Sequence, residues 1–309
     1  MARFIRFVGV ALLVAGAVSK VVPARACEPI DPDVPSVAGT TTKDAAGRAV
    51  ALISINGQGP FRFIIDTGAN RSVLSQSLVA RLGLAPSGEG VVHSIDGAQP
   101  AVLVNVESLS FGTLRLSGGD TPVLDGRMLG DEHGLLGVDG MAGHLLHVDF
   151  TKHCVEIYEN AAQMPTKGWE SVPARMRFGS LLMMVGEIMG VRVNVLLDTG
   201  SDISLANLRF RDALRDVAAG TIEYHDGHAF TFGRPIVLAE SVWTPLLRLG
   251  RTRVGRVTAY IGNFHVFDFW GLQDEPTLLI GMDVLARSLE MAIDYEHGVV
   301  YFRERPRGK

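Results

Sequence analysis

The chain repeats itself. Residues 61–74 read FRFIIDTGANRSVL and residues 193–206 read VNVLLDTGSDISLA. Each is an apolar strand running into Asp-Thr-Gly, with a serine (Ser72, Ser204) six residues after the aspartate. A second pair follows in the same order: residues 135–158, LLGVDGMAGHLLHVDFTKHCVEIY, match 279–302, LIGMDVLARSLEMAIDYEHGVVYF. Both copies give two apolar residues, Gly, an apolar residue and Asp, then an apolar stretch, Asp-aromatic, a polar turn and a closing strand. The offset is 132 residues from Asp66 to Asp198 and 144 from Gly137 to Gly281. Two independent matches in one order mark a duplicated unit, so the fold is built from two like lobes.

The punctuation inside each copy is also shared. Asp96-Gly97 and Asp226-Gly227 are hairpin signals, 30 and 28 residues after their Asp-Thr-Gly aspartates. Asn56-Gly57 and Met189-Gly190 punctuate the hairpins that feed the two key strands. Helix is predicted only over 73–82, 207–218 and 282–289, the last begun by Asp283 as a cap, with Asp139 its twin. Asp149 and Asp294, before aromatic residues, read as turn acceptors. These boundaries predict an N-terminal lobe over 47–163 and a C-terminal lobe over 164–309, with Met164–Gly168 as the joint. Residues 27–46, rich in Pro, Thr and Asp without periodicity, read as an extended lead-in.

Hydrophobic residues make up 47% of the 309 residues, which excludes disorder for most of the chain. Aromatics are only 7% while glycines number 35, a balance that suits short strands and tight turns. Residues 1–26 hold four basic residues (Arg3, Arg6, Lys20, Arg25) and no acid. The remaining chain carries 25 basic against 33 acidic residues and has no basic run, which excludes a nucleic-acid partner. The apolar run Phe7–Val18, as a helix of roughly 18 Å, falls short of a hydrocarbon core of about 30 Å. With Ala24-Arg25-Ala26 behind it, the stretch predicts an export signal cut after Ala26 and a periplasmic or secreted mature chain with no membrane span. Cys27 and Cys154 are the only cysteines. Pairing between them stays open, and Arg25 stands where a lipoprotein signal takes a small residue. His144, His147 and His153 form a loose cluster without an HExxH pattern and read as locally satisfied, so no metal is expected.

Asp-Thr-Gly twice has a chemical logic. Each aspartate ends a buried strand, and the glycine after it lets the loop turn so that the carboxylate projects inward. The threonine hydroxyl can bond across to the partner loop. Two carboxylates brought face to face cannot both ionise, so they share a proton and hold a water between them. One then serves as base toward that water while the protonated one polarises a carbonyl.

The duplicated apolar-apolar-Asp-Thr-Gly-[Ala/Ser], each copy followed by apolar-apolar-Gly, resembles the aspartic proteases, and more narrowly the bacterial retropepsin-like group with both halves on one chain. The resemblance covers about residues 47–302. It implies an all-β, bilobal acid-protease (pepsin/retropepsin-like) fold with two pseudo-twofold-related β-barrel lobes. By that similarity Asp66 and Asp198 match the catalytic pair, and Thr67, Gly68, Ala69, Thr199, Gly200 and Ser201 match the supporting loops. The implied function is an aspartic endopeptidase acting on a polypeptide as a monomer, without cofactor. In pepsin-like relatives a hydroxyl at the position of Ser201 bonds the adjacent carboxylate, whereas Ala69 supplies none. The predicted lobe-one flap, residues 91–104, contains no tyrosine, unlike pepsin. The alternative reading is a non-catalytic peptide-binding protein on the same scaffold, against which the intact pair of Asp-Thr-Gly loops speaks. A two-carboxylate glycosidase gives no reason for two symmetric Thr-Gly pairs.

Overall fold

The computed structural model describes residues 30, 35–44, 47–116, 118–125, 129–159, 164–165, 167–217, 223–225, 229–231, 234–236 and 240–303. The expected export signal, Cys27 and the Asp226-Gly227 turn lie outside them. The chain is all-β and bilobal, with a closed six-stranded barrel and a half-barrel. Among the described residues no helix is long and apolar enough to cross a membrane.

The two lobes are built by the same steps. In lobe one, strands Ala49–Ile55 and Gln58–Ile65 form a hairpin through Asn56 and Gly57, both left-handed at φ 49° and 75°. In lobe two, Leu181–Ile188 and Val191–Leu197 turn through Met189 and Gly190, at φ 51° and 85°. Two successive left-handed residues match the twist of a hairpin, which is why Asn-Gly is favoured there. The second strand of each hairpin ends at an Asp-Thr-Gly loop. Short strands Val73–Ser75 and Ser204–Ala206 follow. Strand Gly134–Leu136 then inserts parallel to Gln58–Ile65 and antiparallel to Val73–Ser75. Thr277–Ile280 does the same between Val191–Leu197 and Ser204–Ala206.

Helices are short, as expected, and shorter than predicted. Residues 73–75 belong to a strand, and the helix is Gln76–Leu82, capped by the Ser75 hydroxyl, which accepts from Leu78 N at 3.2 Å, and closed by Gly83 at φ 64°. Helix Leu208–Val217 is capped by Asn207, whose Oδ1 accepts from Phe210 N at 2.8 Å. The last predicted helix shrinks to Met282–Leu285. Asp139 and Asp283 do not cap their turns, which begin at Gly137 and Gly281 without a side-chain cap. Asp149 and Asp294 are turn acceptors: Asp149 Oδ1 takes Thr151 N and Lys152 N, and Asp294 Oδ1 takes Glu296 N and His297 N.

The lobes are joined by a run of six strands, ordered Ser36–Thr40, Cys154–Tyr158, Leu145–Asp149, Glu290–Asp294, Val299–Arg303 and Glu170–Arg177, the last of which continues into the sheet of lobe two. Its central pairing is self-complementary: Leu145 faces Asp294 and Asp149 faces Glu290. These central strands are buried on both faces, and the polar side chains they carry, His147 and Glu156 among them, are buried with the apolar ones. The lead-in is therefore more than an extended arm, because Ser36–Thr40 forms an edge of this sheet. Cys154 within it is disulfide-bonded.

Candidate active site

Each Asp-Thr-Gly loop hangs from the inserted strand beside it. Asp66 N donates to Leu136 O at 3.0 Å, and Asp198 N to Ile280 O at 2.9 Å. Behind each loop the serine six residues on ties strand to turn. Gly137 N donates to Ser72 Oγ and Gly281 N to Ser204 Oγ, both at 3.1 Å. Each serine hydroxyl in turn donates to an aspartate, Ser72 to Asp139 and Ser204 to Asp283, both at 2.7 Å. The two aspartates read as caps thus brace the loops instead. Gly137 and Gly281 are glycines for contact reasons: a Cβ on the first would stand 2.6 Å from Arg71 C, and one on the second would collide with Ile203.

The loops interlock across the lobe boundary. Thr67 Oγ1 donates to Leu197 O at 2.9 Å and Thr199 Oγ1 to Ile65 O at 2.6 Å. Each hydroxyl also accepts the partner threonine's backbone N–H at 3.1 Å. Both threonines are buried, so all four bonds form away from water, where an unmade bond is costly. Gly68 N bonds Asp66 Oδ1 and Gly200 N bonds Asp198 Oδ1, each at 2.9 Å. A Cβ on Gly68 would lie 2.5 Å from Asp198 Cγ, and one on Gly200 would collide with the Asp66 carboxyl. Only glycine lets the two carboxyls face each other.

The electrostatics follow from this confinement. Burial pushes the Asp66 carboxyl above its ordinary 3.8, opposed by hydrogen bonds from Gly68 and Asp198 and by the charge of Arg48. Burial and then the neighbouring charge of Asp66 push Asp198 well above 3.8. Two carboxyls so placed hold one proton between them across a wide pH range.

Ala69 and Ser201 support the loops through their backbones. Ala69 O accepts from Val138 N at 2.9 Å, and Ser201 O from Met282 N at 2.8 Å. The Ser201 hydroxyl donates to Ile203 O at 2.8 Å rather than to the carboxylate. The expected donor is used up within its own turn, and the two loops are more alike than Ala-versus-Ser implies.

Above the carboxyls lies a cleft of about 290 Å³, lined by Asp66, Asp198, Asn70, Arg71, Val91 and Phe269 among others. A long hairpin, Pro86–Ser94 with Gly97–Val106, reaches over it and turns at Asp96, as the sequence predicts. Its tip touches lobe two at a helix that the sequence reading missed, His265–Phe269. His265 N donates to Ile95 O at 3.0 Å, and the His93 ring stacks on Phe269 with centroids 3.8 Å apart. Arg48 was missed as well. Its guanidinium pairs with Asp44 at 2.6 Å and donates to Gly200 O at 3.4 Å, bringing a cation beneath the pair. Among the described residues neither feature has a twin in the other lobe, so the repeat pattern gave no signal for them.

No curated protein matches this chain. Residues 51–139, which carry the first Asp-Thr-Gly loop, its covering hairpin and the first Leu-Leu-Gly strand, match the aspartyl protease family.

Proposed function

We propose that the chain is an aspartic endopeptidase in which Asp66 and Asp198 activate a water for attack on a peptide bond. The observation that carries this reading is the face-to-face pair of carboxyls, locked by Thr67 and Thr199 and opening on the cleft beneath the hairpin. The ionised member of the pair takes a proton from the water as its oxygen bonds the carbonyl carbon. The protonated member gives its proton to the carbonyl oxygen, leaving a neutral tetrahedral diol. As the diol collapses and the C–N bond breaks, one diol hydroxyl gives its proton to the ionised carboxylate and the leaving nitrogen takes the proton of the other carboxyl, so the pair again holds one proton. No step calls for a cofactor.

The substrate is a polypeptide lying extended beneath the hairpin, held by strand-like backbone bonds, with apolar pockets for side chains flanking the cut. The lobes, 47–163 and 164–309, act within one chain as a monomer. The amino-terminal address and the bonded Cys154 fit an exported enzyme, periplasmic or secreted. Incubating the purified mature chain with a diverse peptide library across pH, beside Asp66→Ala, tests the reading. Cleavage lost in the variant supports it. Peptide binding without cleavage by the wild type overturns it in favour of a binding protein.

A further inference from the structure

The duplication provides an internal control that exposes a second cavity. In lobe one, strands Leu109–Phe111 and Leu114–Leu116 pair Leu109 with Leu116 and Phe111 with Leu114. Lobe two repeats this register, pairing Leu247 with Val254 and Leu249 with Thr252 at the end of a longer hairpin. Each pair also meets the feeding hairpin of its own lobe at the residue before its turn, Leu109 opposite Ile55 and Leu247 opposite Ile188. The positions therefore correspond one to one. Lobe two has Leu249 for Phe111, Thr252 for Leu114 and Val254 for Leu116, a smaller side chain each time.

In lobe one these three apolar side chains fill their space. A Cβ on Gly140 would stand 3.8 Å from Leu116 Cδ1, beside Leu136, and all three fillers are buried. In lobe two the corresponding space is a cavity of about 200 Å³, walled by Leu249, Val254, Ile280, Val284 and Phe302 and closed behind by Leu197. It shares no lining residue with the cleft. Thr252, Arg253, Arg287 and Ser288 add polar groups to its lining, and two of them matter most. Thr252 is 3% exposed and its Oγ1 has no hydrogen-bond partner, a costly state for a buried hydroxyl. Arg287, exposed at the rim, bonds only backbone carbonyls, Asp283 O through Nε and Gly255 O and Arg256 O through Nη1. It forms no ion pair among the described residues.

A cavity with an apolar inner wall, an unpartnered hydroxyl inside and a guanidinium without a direct ion pair at its rim has the chemistry to hold a small amphiphilic anion. We infer that this cavity is a second ligand site, taking a short-chain aliphatic monocarboxylate. The tail lies against Val254, Val284 and Phe302, and the carboxylate takes the Thr252 hydroxyl and the Arg287 guanidinium. Its inner wall is Leu197, the residue before Asp198, and Ile280, whose carbonyl holds the Asp198 N–H at 2.9 Å. An occupant therefore bears on the base of one carboxyl loop.

The test is calorimetric titration of the full mature chain with octanoate, a readout that does not depend on catalysis. One saturable site is expected in the wild type. Thr252→Leu with Val254→Leu restores the fillers of lobe one and should abolish binding without lowering Tm. Arg287→Gln should weaken octanoate about tenfold while keeping the fold, and octylamine should bind the wild type more weakly than octanoate by a similar factor. Should the double variant misfold, Arg287→Gln and the octylamine comparison decide. No saturable binding up to about 10 mM, or binding indifferent to these changes, overturns the inference.

Discussion

His93 Nδ1 and His265 Nε2 stand 2.8 Å apart, joining the tip of the lobe-one hairpin to a helix of lobe two. One ring must donate and the other accept, so the bond needs at least one neutral imidazole. Together with the His265 N–Ile95 O bond and the stacking of His93 on Phe269, it holds the hairpin down over the cleft. A covering element of this kind must lift to admit an extended substrate and close to exclude water. His265→Ala should therefore speed amide exchange across Val91–Val102 and raise KM more than it alters kcat. Unchanged exchange in the hairpin would show that the backbone bond alone sets its position.

The carboxyl pair makes a prediction that reaches beyond activity. Asp66→Asn and Asp198→Asn should each lower kcat by at least about 10²–10⁴-fold, the usual worth of general acid–base assistance. Stability should move the other way. Burial raises the folded-state pKa of Asp198 well above 3.8. For a group raised in this way, stability is complete below its unfolded value and falls as pH rises through the folded one. Asp198→Asn removes that penalty, so its Tm should exceed wild type at pH 7 and converge with it toward acid pH. A lower Tm at neutral pH would mean that the carboxylate is stabilised in a way the burial argument misses.

Arg48 offers a separate handle on the same pair. Burial raises Asp66, and the Arg48 charge works against that rise. Removing the charge with Arg48→Met should lift the first ionisation of the pair. The acid limb of kcat/KM against pH should then move to higher pH while the alkaline limb moves less. Because Arg48 also donates to Gly200 O, Arg48→Lys separates charge from geometry and should keep the limb near wild type. A limb that shifts equally in both variants would assign the effect to the hydrogen bond.

Much of this was legible in the sequence because duplication makes geometry periodic. The twin Asp-Thr-Gly loops, the two inserted Leu-Leu-Gly and Leu-Ile-Gly strands and the left-handed turns at Asn56 and Met189 all recur at matched offsets. The bracing of the loops by Ser72–Asp139 and Ser204–Asp283 was present in the same offsets, but a side chain near a turn start reads as a cap until its partner is seen. What escaped was asymmetric. Among the described residues Arg48, His93, His265 and the helix His265–Phe269 have no counterpart in the other lobe, and their roles depend on contacts across 152 and 172 residues of chain. Ser201 misled for a local reason: its hydroxyl finds Ile203 O two residues away before it can reach the carboxylate. Ser201→Ala should accordingly leave the alkaline limb of the pH profile in place, and a clear shift of that limb would show that the hydroxyl swings to the carboxylate when substrate binds.

The joining sheet carries its own pH dependence. His147 is buried between two glutamates, with Nδ1 3.4 Å from Glu156 and Nε2 3.1 Å from Glu290. Glu156 also accepts from Ser36 Oγ at 2.6 Å and Tyr158 OH at 2.8 Å, while Arg303 reaches Glu290 at 2.7 Å. These groups come from five of the six strands, so the cluster fastens both lobes and the lead-in at one point. Burial disfavours the His147 charge, but the bonds to Glu156 and Glu290 outweigh it and hold its pKa above 6.5. Burial also opposes ionisation of the two glutamates, yet their bonds to His147 leave both below 4.5. The histidine's contribution is complete below 6.5 and fades as pH rises through its raised value. The glutamates' contribution is complete above 4.5 and fades as pH falls through their lowered values. Between 4.5 and 6.5 the cluster is fully charged and at its strongest. His147→Ala leaves two buried carboxylates short of a partner and should cost about 3–5 kcal/mol in that window. Denaturant melts of wild type and His147→Ala across pH measure the gap directly. It should be widest at mildly acid pH and narrow on both sides, and a gap that keeps growing into the alkaline range would mean that the imidazole acts by packing rather than by charge.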